Sequence, residues 1–266
     1  MTTVALLGVP WDEHSSFRRG AALAPPSVRA ALRSPSTNLS TESGLDLGID
    51  PRFTDAGDVD IPGGAEAVEA VERGVARTLA SGARVLALGG DHAITYPVLR
   101  AHASRHPGLT LVHLDAHPDL YDVFEGDRLS HACPFARILE ERLVSRLVQV
   151  GIRTLNEPQR EQAERFGVEQ IEMKDWRPDT LVAAPGPVYV SIDLDVLDPA
   201  FAPGVSHPEP GGLSVREVIG FLHRLQGRVV GADVVELNPS RDPDGLTARV
   251  AAKLVKELAA RLLEGK

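Results

Sequence analysis

The stretch HLDAHPDLYD, residues 113–122, places a histidine or an aspartate at every second position directly after an apolar run. Alternate side chains of a strand point to the same face, so Asp115 and His117 share one face, and Pro118 ends strand pairing before Asp119. Carboxylates left unpaired in a low-dielectric site are costly unless cations neutralise them. The stretch therefore predicts metal ligands at the end of a buried strand.

Two other apolar runs end with the same kinds of residue. The run RVLAL is followed by GGDH, which supplies His92, and the run PVYVSI is followed by DLD, which supplies Asp193 and Asp195 on one face. Ligands of α/β sheets bind beyond the carboxyl ends of the strands, so the three strand ends are expected to meet. Each motif alone is typical of a loop or turn, but their agreement favours one shared site.

The predicted metal site consists of the histidines and aspartates at these three strand ends. They are His92, Asp115, His117, Asp119, Asp193 and Asp195. Two divalent ions would cancel the charge of the carboxylates, which predicts a site with two ions ~3.5 Å apart that activates a water molecule. Carboxylate and imidazole ligands without thiolate favour Mn²⁺, with Co²⁺, Ni²⁺ or Zn²⁺ as substitutes.

Four polar neighbours are assigned to the fold rather than to the chemistry. His113 lies one step back in its strand, and Asp91 and Asp198 are expected to brace turns. Cys133 stands two residues from His131, a spacing at which side chains diverge on a helix. We therefore interpret Cys133 as a packing residue and not as a thiol nucleophile.

The elements that must position these residues alternate between apolar strands and amphipathic helices. The predicted strands are TVALLGV, RVLALGG, LTLVHLD, LVSRLVQVGI, PVYVSIDLD and GRVVGADVVEL. Continuous apolar runs of this kind are typical of parallel strands that helices cover on both faces. Helices are predicted over residues 65–80, 214–226 and 247–263. The second would open with a capping box of Ser214 and Glu217 and end at Gly227.

The composition limits the domain count and the partners. A chain of 266 residues with 43% hydrophobic residues predicts one α/β domain over residues 1–266, with residues 34–64 as a surface excursion. The net charge of −9 disfavours nucleic acid and anionic membranes as partners and suits a small cationic substrate. A single cysteine and a start without a signal-peptide pattern predict a cytoplasmic protein.

The motifs GGDH, DAHPD and SIDLDVLDPAFAPG resemble the three metal-binding motifs of the ureohydrolase family, which includes the arginases and agmatinases. The similarity runs nearly end to end and is closest to the plant-type arginases. It covers GVPWDEHSSFRRGAALAPPSVRAAL, DLYDVFEGDRLSHACPFARI, VGIRTLNEPQREQAERFGVEQ and PGVSHPEPGGLS. The resemblance implies a three-layer α/β/α fold with a central, mainly parallel sheet of about eight strands, and assembly as a homotrimer or homohexamer.

The resemblance also implies how the ligands divide between two manganese ions. One ion would be held by His92 and Asp119, and the other by His117 and Asp195. The remaining two aspartates of the set would bridge the ions.

Further residues match those that handle the substrate in this family. His131, in SHACPF, matches the proton-shuttle histidine, and Glu236, after GRVVGADVV, matches the glutamate that binds the cationic guanidino group. Asp119 would carry a proton to the leaving amine. Asp122, in the loop that follows DAHPD, is also predicted to contact the substrate.

The resulting functional prediction is hydrolysis of a guanidino compound to urea and an amine, with L-arginine giving L-ornithine as the first choice. Agmatine, giving putrescine, or another guanidino acid is the alternative, because residues 18–19 and 121–130 offer both basic and acidic side chains for the rim. SHACPF also lacks two hydroxyls of the SHASSF-like form of plant arginases. Further alternatives are a formimidoyl hydrolase, a single-zinc deacetylase, and a non-catalytic protein that binds guanidino compounds or polyamines.

Overall fold

Eight parallel strands form one central sheet in the computed structural model, which describes residues 2–264. The strands are β1 (Thr3–Val9), β2 (Phe53–Asp58), β3 (Ala83–Gly89), β4 (Thr110–Leu114), β5 (Arg146–Ile152), β6 (Glu169–Glu172), β7 (Ala183–Asp193) and β8 (Gln226–Val235). Their spatial order is β2-β1-β3-β8-β7-β4-β5-β6. Every pairing between these strands is parallel, so all carboxyl ends lie at one edge of the sheet.

The six predicted strands are all present, and β2 and β6 complete the sheet at its two edges. β2 (FTDAGD) is largely exposed, β6 (EQIE) is partly exposed, and neither has an apolar run. The predicted excursion over residues 34–64 therefore contains a strand. An edge strand pairs on one side only and is covered less by helices, so its sequence carries no hydrophobic signal.

Within residues 2–264, seven α-helices cover the two faces of the sheet. They are α1 (Ala24–Leu32), α2 (Ala67–Ala80), α3 (Thr95–Ala103), α4 (Pro134–Glu140), α5 (Glu157–Phe166), α6 (Val215–Arg224) and α7 (Leu246–Glu264). One hydrophobic core lies between the sheet and α1, α6 and α7, and the other between the sheet and α2 to α5. This is the predicted three-layer α/β/α arrangement.

The predicted helix over residues 214–226 is present but ends earlier than expected. The capping box is formed as predicted: Glu217 N–H donates to the Ser214 hydroxyl, and the Glu217 carboxylate accepts from Ser214 N–H. Gly227 does not end the helix, because the chain turns at Leu225 and β8 already begins at Gln226. Gly227 lies inside the strand with φ 131°, where an added Cβ would come within 2.5 Å of the Ala184 carbonyl oxygen. Within residues 2–264 no helix has the length and apolar character needed to cross a membrane.

Candidate metal centre and active site

The four neighbouring strands β3, β8, β7 and β4 end side by side and supply the polar groups of the site. His92 follows β3, Glu236 follows β8, Asp193 ends β7, and Asp115 follows β4. All four are buried. The predicted meeting of separate strand ends is therefore present, and the parallel sheet is what brings it about.

One group of side chains is centred on His92. Its Nδ1 atom lies 3.1 Å from Asp115 Oδ2, 3.2 Å from Asp119 Oδ2 and 3.2 Å from Asp193 Oδ2. This nitrogen is buried and forms no hydrogen bond with any described residue. An orphaned ring nitrogen that faces three carboxylate oxygens is the arrangement of a cation site.

A second group is centred on His117. Its Nδ1 atom lies 3.0 Å from Asp195 Oδ2 and 3.4 Å from Asp115 Oδ1. Asp115 therefore directs one carboxylate oxygen to each histidine and links the two groups. All six predicted ligands lie together in this way, as two clusters that share a carboxylate.

The free nitrogen of His92 is explained by what its other ring nitrogen contacts. Nε2 lies 2.9 Å from the Ser191 hydroxyl, and that hydroxyl donates to Asp233 Oδ1 at 2.6 Å. Asp233 also accepts hydrogen bonds from Tyr189 and Thr95. Since Ser191 spends its proton on Asp233, its oxygen accepts from Nε2–H of His92, which leaves Nδ1 as a ligand atom. This hydrogen-bond chain was not predicted from the sequence. The feature that could have indicated it is a polar residue inside each of two apolar strands, Ser191 in β7 and Asp233 in β8.

His113 supports the site without joining it. Its Nε2 atom lies 2.7 Å from Asp115 Oδ2, and its Nδ1 atom faces the Gln149 amide nitrogen at 3.0 Å. The same amide nitrogen donates to the Pro118 carbonyl. Because Gln149 is the donor to Nδ1, the ring carries its proton on Nε2 and donates to Asp115. The structural role predicted for His113 agrees with these contacts, although His113 lies close enough to His92 and Asp115 to be grouped with them as a ligand.

The other three residues assigned to the fold also have structural contacts. Asp91 caps the 3₁₀ turn that begins at His92, and it accepts a hydrogen bond from the Ser15 hydroxyl. Asp198 accepts two backbone N–H groups of its own loop region. Cys133 is fully buried at the start of α4. These observations confirm turn-bracing and packing roles.

Burial and crowding shift the pKa values of the cluster in a way that favours bound cations. Burial raises the pKa of Asp193 well above its usual value, and the charges of Asp195 and Asp115 raise it further. Burial also raises the pKa of Asp195 to about 6, partly offset by His117. Burial alone would lower the pKa of His92, but its contacts with three carboxylates raise it well above the usual value. Positive charge placed between these carboxylates would relieve their repulsion.

His131 and Glu236 form a buried pair beside the cluster. His131 Nδ1 lies 2.9 Å from Glu236 Oε1, and the same oxygen accepts the backbone N–H of His92 at 2.9 Å. Burial lowers the pKa of His131, but the Glu236 carboxylate more than offsets this and the net pKa rises to about 9. His131 Nε2 lies 2.9 Å from the Ser16 hydroxyl, a residue that the sequence analysis did not single out.

A cavity of about 200 Å³ opens above these groups. Carboxylates of the cluster and Glu236 line its floor. The remaining lining residues include Ser16, Tyr121, Phe124, His131, Thr154, Gln159 and His207. A cationic head group would meet the carboxylates, and the aromatic wall suits an aliphatic chain.

Asp122 is not among the described residues that line this cavity. Its side chain is 51% exposed, and its carboxylate accepts hydrogen bonds from Arg128 at 2.5 Å and Arg137 at 2.8 Å. These ion pairs hold the pKa of Asp122 below its usual value. Its position therefore gives no support to the predicted contact between Asp122 and substrate.

The backbone is strained at two of the site residues. Asp119 has φ 49° and Glu236 has φ 67°, in the left-handed region that costs a side-chain-bearing residue about 1 kcal/mol. Glu236 N–H donates to the Gly90 carbonyl, and an added Cβ on Gly90 would approach the Trp11 carbonyl oxygen to 1.7 Å. The loop after β1 therefore packs backbone to backbone against the turn after β3.

Comparison with known proteins gives consistent results over nearly the whole chain. The family model described as the arginase family matches residues 2–260. Arginase 1, mitochondrial, of Arabidopsis thaliana is 51% identical over 98% of this chain and 81% of its own length. Arginase 2, chloroplastic/mitochondrial, of the same plant is also 51% identical, over 98% and 80%. The solved arginase of Medicago truncatula has a TM-score of 0.92 and 47% identity, covering 98% of this chain and 87% of that chain.

The names of these relatives contradict the predicted cytoplasmic location. The two Arabidopsis proteins are named mitochondrial and chloroplastic/mitochondrial. The prediction used a low cysteine count, which reports on the redox environment and not on the compartment. A reducing environment is not confined to the cytoplasm, so the inference was wrong.

Proposed function

Because the chain belongs to the arginase family, we propose that it hydrolyses L-arginine to L-ornithine and urea. Members of this family are metal-dependent hydrolases that act on C–N bonds of linear amidines and take a guanidino substrate. The observation that carries the proposal is the carboxylate of Asp115, which is shared by the groups centred on His92 and His117. Asp119, Asp193 and Asp195 of these groups line the cavity.

The proposed cofactor is a pair of Mn²⁺ ions, which the six predicted ligands would hold. The donor set supports this choice, since it offers imidazole nitrogen and carboxylate oxygen without thiolate. The orphaned Nδ1 of His92 supports it as well. When bound, the ions would lower the pKa of water and polarise the substrate carbon centre.

Glu236 is proposed to orient the substrate. Because Glu236 Oε1 already accepts from the His131 ring and the His92 N–H, Oε2 is the oxygen that would accept N–H groups from a guanidinium cation. Glu236 is 4% exposed and lines the cavity, so a guanidinium paired with it would be shielded from bulk water. The guanidino carbon would then face the aspartates of the floor.

Asp119 and His131 are proposed to move the protons. The Asp119 carboxylate accepts a proton from the attacking water and passes it to the departing nitrogen, which leaves as a neutral amine. His131, with its pKa raised to about 9, holds a proton at neutral pH and exchanges it between the site and the solvent.

The rim of the cavity favours arginine over agmatine. Agmatine ends in a free ammonium group, for which a rim carboxylate would be the natural partner. The carboxylates of Asp122 and Asp127 already pair with arginine and histidine side chains. The cavity wall offers instead the side-chain amide of Gln159, whose N–H groups can donate to an α-carboxylate.

The decisive experiment measures urea release by manganese-loaded protein from arginine, agmatine, guanidinobutyrate, guanidinopropionate and formiminoglutamate, with metal content and native mass in parallel. We expect the highest kcat/KM with arginine, about two manganese ions per chain, and the mass of a homotrimer or homohexamer. Formamide without urea would identify a formimidoyl hydrolase. One zinc ion per chain without urea release would support a single-zinc deacetylase. The absence of product from every compound would support a non-catalytic binding protein.

A matched pair of variants tests the metal assignment. Asp193→Ala should lose metal and activity together. Asp198→Asn removes a carboxylate of the same motif that only braces a turn, and it should keep the metal. Full metal content and activity in Asp193→Ala would contradict the assignment.

A further inference from the structure

His131 is held at both ring nitrogens and also through its backbone. Nδ1 lies 2.9 Å from Glu236 Oε1, and Nε2 lies 2.9 Å from the Ser16 hydroxyl oxygen. The backbone N–H of His131 donates to the carbonyl of His14 at 3.1 Å. The loop that carries Ser16 therefore touches the histidine twice, and the proposed reaction gives its hydroxyl no role.

The two contacts of the ring decide which nitrogen exchanges the proton. Nδ1 faces the Glu236 carboxylate, which can only accept, so Nδ1 keeps its hydrogen. Nε2 is then the nitrogen that gains and loses a proton, and its partner is Ser16. A hydroxyl donates to the neutral ring and accepts from the protonated ring, so the same contact serves both states. A methyl group would serve neither.

The loop holds Ser16 in place from both sides. Asp12 accepts the backbone N–H groups of Gly20 at 2.7 Å and of Ala22 at 3.2 Å, which fixes the far end of the loop. The contact between the His14 carbonyl and the His131 N–H fixes the near end of the loop. This backbone contact does not involve the Ser15 hydroxyl, which donates to Asp91 at 2.9 Å. Ser16 itself is half-buried and lines the cavity, and its hydroxyl contacts His131, which lines the same cavity.

We propose that Ser16 is a positioning residue for proton relay: its hydroxyl holds the His131 ring and reverses its hydrogen bond to Nε2 each time the ring gains or loses a proton. The inference rests on the proposed function of His131. It adds a residue of the loop after β1 to a relay that would otherwise consist of His131 and Glu236.

The test compares Ser16→Ala with Ser16→Thr, which keeps the hydroxyl, and with Ser15→Ala, which makes the same change next door without contact to His131. Urea release by the manganese-loaded protein is measured with arginine in H₂O and D₂O and at rising concentrations of a small buffer. For Ser16→Ala we expect kcat to fall about 10-fold with KM changed less than about 2-fold. Its solvent isotope effect should increase, and added buffer should restore part of the rate.

The two control variants separate relay from loop structure. Ser16→Thr should recover most of kcat, and Ser15→Ala should show neither the larger isotope effect nor the buffer dependence. A Ser16→Ala protein that loses kcat without these proton signatures, or whose KM alone rises, would overturn the inference.

His131→Asn and NMR distinguish the failure of this inference from the failure of the proposed function. If His131→Asn is slow and Ser16→Ala is normal, Ser16 has no role. If His131→Asn keeps the full rate, the relay itself is wrong. ¹⁵N spectra of the His131 ring, assigned with His131→Asn, need no turnover. They should show an altered Nε2 signal in Ser16→Ala but not in Ser15→Ala, and an unchanged signal in Ser16→Ala would also overturn the inference.

Discussion

Two buried histidines, His131 and His102, have pKa values that are shifted in opposite directions. His131 faces Glu236, and its pKa is raised to about 9. His102, in α3, is fully buried, and neither ring nitrogen has a hydrogen-bond partner within residues 2–264. Burial lowers the pKa of His102 to about 3, with smaller contributions from His106 and Arg105. The comparison shows that burial discharges a histidine unless a carboxylate lies beside it.

His131 and His102 also differ in the residues that surround them. The His131 ring lies among polar groups at the carboxyl edge of the sheet, next to a cavity. The His102 ring packs edge-on against Tyr189, with 5.1 Å between the ring centroids, and it also lies against Gly231. One ring is placed for chemistry and the other serves as an aromatic packing residue.

The largest expected effect comes from removing the charge of Asp115, which is shared by the groups centred on His92 and His117. Asp115→Asn keeps the shape but removes the charge that faces both His92 and His117. We expect loss of bound metal and a fall in urea release of at least ~10³-fold. Metal analysis and a urea assay check this, and a variant that keeps its metal would show that Asp115 does not link the two groups.

A smaller effect is expected from the residue that orients His92. Ser191→Ala removes the acceptor of Nε2–H and frees the ring to rotate or change tautomer. Metal affinity should fall about 10-fold to 100-fold, as measured by competition with a chelator. Ser145→Ala removes a hydroxyl that only bonds the Leu109 carbonyl and should leave the affinity unchanged. Equal affinities in the two variants would contradict the role of Ser191.

The lowered pKa of buried His102 predicts that the protein becomes less stable as the pH falls. His102 titrates at about 3 when folded and near 6.5 when unfolded, so its contribution to stability is complete above pH 6.5 and is lost as the pH falls towards 3. At pH 5 the loss is about 2 kcal/mol. Chemical denaturation of metal-free protein at pH 7 and pH 5 should show a loss that is larger in wild type than in His102→Leu by this amount. Equal losses in the two proteins would contradict the lowered pKa of His102.

The smallest effect is expected at Asp122, whose side chain is half exposed and pairs with the exposed side chain of Arg128. Asp122→Asn should change KM for arginine or agmatine less than about 2-fold, because surface ion pairs contribute little and the residue lies outside the cavity lining. Steady-state kinetics with both substrates check this. A large rise in KM for either substrate would restore the prediction made from sequence, in which Asp122 binds substrate.

The sequence predicts what depends on residue type and strand periodicity. The apolar runs locate six strands, and polar residues at their ends identify the six side chains that the structure brings together. Their binding of manganese stays a prediction, as does a single domain over residues 1–266. The edge strands β2 and β6 were not predicted, because strands that are exposed or only partly buried need no apolar run.

Contacts between distant parts of the chain are what the sequence does not show. Ser191 and Asp233 matter because of a hydrogen-bond chain between two strands, and Ser16 because a loop more than a hundred residues away reaches His131. The ion pairs of Asp122 arise in the same way. The left-handed backbone of Glu236 depends on the packing around it.

The close contact between Gly90 and the Trp11 carbonyl has a consequence for protein engineering. It joins the segment that leads to His92 with the loop that carries Ser16, so a library that varies either segment would disturb both. In the loop over residues 121–128, Tyr121 and Phe124 line the cavity. Selection for altered substrate preference is best directed there, with Trp11 and Gly90 held constant.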